Sequence, residues 1–94
     1  MSLPPDSALL PLGRCVVTSA AHDVLHPGDV QTALLRHQHG DWGELCGQDR
    51  QANHQALLSG SRIFSVYHDR GGVRFYIITE HDRSVTTVLL PEDY

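Results

Sequence analysis

Two short turns divide the last third of the chain and dictate how it must pair. Asp69-Arg70-Gly71-Gly72 and His81-Asp82-Arg83-Ser84 separate three runs rich in β-formers, 62–68 (RIFSVYH), 73–80 (VRFYIITE) and 85–90 (VTTVLL). The paired glycines supply the positive φ that a tight hairpin needs, and an Asp side chain can close a turn on nearby backbone N–H groups. Strands joined this closely pair antiparallel, so the segment predicts a three-stranded meander, ended by Pro91. The middle run is apolar on both faces, as a central strand is. Alternation puts Arg74, Tyr76 and Glu80 on one of its faces and Phe75, Ile77 and Thr79 on the other.

The first two thirds follow a different period. Residues 14–18 (RCVVT) form a short β-prone run, and Ser19 can cap a helix over 20–25. His26-Pro27-Gly28 stops that helix, and Pro27 can open a second one with Asp29 at its positive end. Val30, Ala33, Leu34 and His37 share one face, and Gly40 closes the helix. A third helix is predicted over about 49–59, capped by Asp49, with Ala52, Ala56 and Leu57 on its inner face and Gly60 past its end. The expectation is one α+β domain over 13–94, in the order β-α-α-β-β-β. Its sheet is antiparallel, with two or three helices packed on one face. The proline-rich segment 1–12 is predicted to be a flexible arm.

Charge and length exclude several functions. At 94 residues, with a net charge of −4 and seven basic residues that are all Arg, the chain lacks the positive surface that coating nucleic acid requires. Nucleic-acid binding is therefore disfavoured, unless the arginines gather on one face. No apolar run is long enough to span a membrane. The N-terminus has no basic region of a signal peptide, and Cys15 and Cys46 have no C-x-x-C spacing, so reduced thiols in the cytoplasm are expected.

Histidine is over-represented, with seven in the chain. His22 and His26 are at i, i+4, but Pro27 spoils the helical geometry that would aim both at one metal. His37, His39, Cys46 and His54 match no ligand spacing, so neither metal nor other cofactor is expected. No nucleophile elbow or cysteine signature is present; Cys15 reads as a small core residue, and nothing in the sequence lowers the pKa of the more exposed Cys46. One enzymatic alternative survives, a metal-independent ribonuclease with Arg74, Tyr76 and Glu80 as its catalytic set on the polar face of the meander. The dense turn around Glu80, Asp82 and Arg83 reads as a well-made hairpin connection and as a contact site. Trp42, between Asp41 and Gly43, reads as a core plug or as a contact anchor.

The stretch His37-x-x-Gly40-Asp41-Trp42-Gly43, with Asp49, Asn53, Arg62-Ile63 and the run IITE-x-DRS-x-TT-x-LLPE-x-Y from Ile77 to Tyr94, resembles a family of short bacterial proteins. These are carried on plasmids, integrative elements and phage-like islands and are labelled plasmid-related proteins, or sometimes type I restriction subunits. The resemblance covers about residues 12–94. It implies a mobile-element setting and no catalytic residues, and a chain this short has no room for a cofactor-binding methyltransferase fold. The resulting expectation is a non-enzymatic accessory protein that binds a host or element-encoded protein and counters a defence system such as restriction or CRISPR. Asp41, Trp42, Glu80, Asp82 and Arg83 are its candidate contact residues.

Overall fold

Both hairpins form in the computed structural model, which describes residues 8–94. The elements are β1 (Arg14–Val17), α1 (Ser19–Val24), α2 (Pro27–Gln38), α3 (Gly47–Ser59), β2 (Ile63–His68), β3 (Arg74–Thr79) and β4 (Val85–Leu89), followed by a 3₁₀ turn at Pro91–Asp93. The architecture is α+β. The sheet order is β1-β4-β3-β2, with β2–β3 and β3–β4 antiparallel. β1 departs from the expected antiparallel sheet by joining β4 in parallel, with Arg14 opposite Val85 and Val17 opposite Val88. The reason is topological. Three helices intervene between β1 and the meander, and a long crossover delivers a strand in parallel as readily as in antiparallel.

Local chemistry sets the helix ends. Thr18, rather than Ser19, caps α1, its hydroxyl accepting from Ala21 N. His26 sits outside α1 and caps α2, its Nδ1 accepting from Gly28 N, so His22 and His26 never share a helical face. Cys46, rather than Asp49, precedes α3, and Asp49 falls in the first turn, where its charge suits the helix dipole. Gly60 closes α3 at φ 75°.

Helices α1 and α2 cover one face of the sheet. Ala21, Leu25, Val30 and Ala33 pack there on Tyr67, Phe75, Ile77 and Val88. The expected arm, 1–12, is described only from residue 8. From Leu9 the chain is held, with Leu9 N donating to Gln38 O and Leu10 buried beside Trp42, so the packed domain begins before residue 13. The cause is the burial of Leu10, which outweighs the neighbouring prolines.

Helix α3 instead lies along the outer edge of β2 and seals it. The Asn53 amide donates to Phe64 O (2.6 Å) and accepts from Phe64 N (3.2 Å). Two residues on, Val66 N donates to Trp42 O and Val66 O accepts from Glu44 N. Each outward polar group at 64 and 66 is thereby paired, which removes an edge that would otherwise recruit foreign strands. Asn53→Leu keeps the size but strands the Phe64 amide and carbonyl. The expected loss is about 2–3 kcal/mol, read as a lower urea midpoint and as faster exchange of the Phe64 amide hydrogen.

Candidate functional site

Of the expected contact residues, Trp42 is buried, while Asp41, Glu80, Asp82 and Arg83 keep exposed or half-exposed side chains that also bond within the fold. Trp42 is 3% exposed and meets the rings of His37 and His54 edge-on, at 5.7 and 6.3 Å between centroids. It is the core plug, and its buried Nε1–H has no partner among the described residues. Asp41 takes a bidentate grip from Arg36, at 2.7 and 3.2 Å, which lowers the Asp41 pKa and raises that of Arg36. Asp82 accepts from Ser84 N and Oγ, and these bonds lower its pKa. Arg83, at φ 62°, donates to Ser61 O, Ala56 O and Glu80 O. One guanidinium thus ties the end of α3 to the β3–β4 turn. Glu80 faces Arg62 at 3.7 Å.

The ribonuclease set fares differently. Arg74, Tyr76 and Glu80 do share the sheet face turned away from α1 and α2. At about 3.3 Å per residue, however, Arg74 and Glu80 begin roughly 20 Å apart, too far to converge on one phosphate. Most of the arginines are also held by partners within the chain. Arg36 pairs with Asp41, Arg70 with Asp29 and Arg62 with Glu80, while Arg50 donates to Leu45 O and Gly43 O. The Arg70 pairing holds the Asp29 carboxyl far below the usual range. Among the described residues no three His, Cys, Asp or Glu side chains gather as a metal site would need. No helix of the described residues is long and apolar enough to cross a membrane.

A serine–histidine pair that sequence reading missed lies in the interior. His37 Nδ1 is 2.5 Å from Ser65 Oγ and its Nε2 is 2.9 Å from Thr79 Oγ1, which is 2.7 Å from Thr86 Oγ1. Thr86 donates to Leu12 O at 2.7 Å. That carbonyl can only accept, so it orients the whole row. Thr86 takes its hydrogen from Thr79, Thr79 accepts from His37 Nε2–H, and His37 Nδ1 accepts from the Ser65 hydroxyl. His37, Ser65, Thr79 and Thr86 are all 0% exposed, so no substrate reaches the Ser65 oxygen. Burial, with the Arg83 charge adding to it, lowers the His37 pKa to about 4 and keeps the ring neutral. The row is a structural spine joining α2 to three strands.

The surface left open is the opposite face of the sheet. Phe64, Tyr76 and Tyr94 form an aromatic cluster on it, with centroids 4.9, 6.3 and 6.0 Å apart. Tyr94 is 70% exposed. Beside them runs a groove of about 400 Å³, floored by Phe64, Tyr76 and Ile78 and walled by Asp49, Ala52 and Asn53 of α3. Two further hollows share its lining, one reaching Glu80 and Asp93, the other Glu44 and Arg74. Along this surface the lining carries the carboxylates of Glu44, Asp49, Glu80 and Asp93 and the guanidiniums of Arg62 and Arg74, with Glu44 also paired to His68. The signal in the sequence was the parity of Phe64, Tyr76 and Ile78, together with the terminal Tyr94. No family model, curated protein or solved structure matches the chain.

Proposed function

We propose that this chain is a small non-enzymatic binding protein whose working surface is the open face of the sheet. Its ligand would be a segment of a host or element-encoded protein carrying apolar and basic side chains. The observation behind this reading is the half-exposed cluster of Phe64, Tyr76 and Tyr94 beside a groove that, with its two adjoining hollows, is lined by four carboxylates and two guanidiniums. Aromatic side chains lose little conformational freedom on binding and dominate interface energetics. The acidic rim repels nucleic acid and favours Lys or Arg on the partner. The mobile-element setting implied by the C-terminal run makes a component of host defence, restriction or CRISPR, the first partner to try.

The test compares wild type with a Tyr76→Ser, Tyr94→Ser double variant in cells challenged through restriction or CRISPR interference. In parallel, binding to the partner recovered from such cells is titrated. The double variant is expected to lose protection and to bind at least about 30-fold more weakly, the weight of one aromatic hot spot. Wild-type affinity should also weaken as salt rises, because the rim charges are exposed. Unchanged binding by a folded double variant refutes this surface.

A further inference from the structure

The two edges of the sheet are treated in opposite ways. β2 is closed by Asn53 and by the backbone of Trp42 and Glu44, whereas nothing in the described residues closes β1. Arg14 N and Thr18 N donate to Ser84 O and Val88 O of the β4 side, so alternation turns the N–H and C=O of Cys15 and Val17 outward. Both side chains are exposed apolar groups, Val17 at 39%. An apolar groove of about 270 Å³, lined by Val17, Ala21, Leu25, Val30 and Leu34, opens beside this edge.

We infer that a second copy of this chain occupies that edge, pairing β1 with β1 antiparallel about a two-fold axis through Val16. The edge is complementary to itself. With Val16 opposite Val16 of the second copy, Cys15 falls opposite Val17 and Val17 opposite Cys15. These are the two positions whose polar groups point outward, so the seam forms about four hydrogen bonds and continues the sheet across the dimer. On the helix side, Cys15 and Val17 of each copy meet and cover each other. On the other side, Arg14 falls opposite Thr18 of the second copy. Thr18 Oγ1 donates to Asp93 Oδ2 at 2.7 Å, so a carboxylate stands where the arginine arrives. Within its own chain, Arg14 has no ion pair among the described residues. Its copy across the axis begins about 13 Å away, beyond strong repulsion. Charge complementarity and backbone register therefore select the same occupant.

Sedimentation equilibrium tests this at loadings from roughly 5 to 500 µM, the range in which a small interface associates. The mass should rise from 10.4 kDa towards twice that value. Val17→Pro removes an outward N–H and the Val17 side chain from the seam, and Arg14→Asp leaves the β1–β4 ladder untouched. Each should weaken association at least about tenfold with an unchanged circular dichroism spectrum. Should Val17→Pro fail to fold, Arg14→Asp decides alone. Register is read separately by Val17→Cys in a Cys46→Ser background. This sets a thiol opposite Cys15 of the second copy at a Cα separation of about 5.5 Å, within disulfide reach. Mild oxidation should then yield a covalent dimer. A protein that stays monomeric at every loading overturns the inference, as does a dimer indifferent to Arg14→Asp or one that cannot be cross-linked this way.

Discussion

His37→Ala should cost about 4 kcal/mol at neutral pH and lower the thermal midpoint by roughly 20 °C. Three losses add up. The ring's packing against Trp42 disappears, a cavity opens between α2 and the sheet, and the Ser65 and Thr79 hydroxyls lose their buried partner. Ser65→Ala removes only the donor to Nδ1 and should cost about 1–2 kcal/mol. A urea titration of the three proteins checks the order. A His37→Ala midpoint within 1 kcal/mol of wild type would show that the row contributes little.

The same residue sets the response to mild acid. Its folded pKa is depressed to about 4 from an ordinary 6.5, so the unfolded chain binds the proton first. The contribution is complete above pH 6.5 and is lost as pH falls towards 4, amounting to about 3 kcal/mol over that window. Below it, carboxylates with lowered pKa take over. Asp69, which accepts from the backbone of Val73, His26 and Gly71, loses its contribution as pH drops through its own folded value. His37→Ala should flatten the upper window and leave the lower one in place. Unfolding curves at half-unit pH steps separate the two.

What the chain discloses in advance depends on how local its cause is. The meander, the Gly60 stop and the Pro27 start rest on a few adjacent residues, and all three are present. The parity that sends Arg74 and Tyr76 to one face and Phe75 and Ile77 to the other is equally local, and burial follows it. The parallel seating of β1, the sealing of β2 by Asn53 and the row from Ser65 to Leu12 join residues far apart in sequence. No periodicity could announce them. His37 was legible as an inward-facing histidine, but its partners lie on β2 and β3. The internal role of Arg83 was hidden for a related reason: its guanidinium bonds three carbonyls, two of which, Ala56 O and Ser61 O, lie more than 20 residues away. Much of the C-terminal run from Ile77 to Tyr94, at Thr79, Asp82, Arg83, Ser84 and Thr86, consists of such internal ties. It therefore reports the fold more directly than the contact surface.

Gly43→Ala should be at least as damaging as loss of the histidine, because it reopens the edge that the fold closes. Gly43 has φ 73°, and a Cβ there would stand 2.0 Å from Val66 O and 2.7 Å from Tyr67 Cδ1. The first neighbour is backbone and cannot swing aside. Relief requires the connector to lift from β2, breaking the bonds from Val66 N to Trp42 O and from Glu44 N to Val66 O. Trp42 would leave its slot with them. Left-handed strain, lost bonds and displaced packing together cost about 4–5 kcal/mol, a large part of the stability of a domain this size. Gly47→Ala is the matched control, since its Cβ meets nothing within 4 Å and α3 gains a better helix former. It should be neutral or stabilise by about 0.5 kcal/mol. The pair should also part in aggregation. Exposing the Val66 backbone makes Gly43→Ala turbid on warming at concentrations where Gly47→Ala stays clear. Equal midpoints for the two variants would mean that the connector is free to move off the strand, and that β2 is not sealed by it.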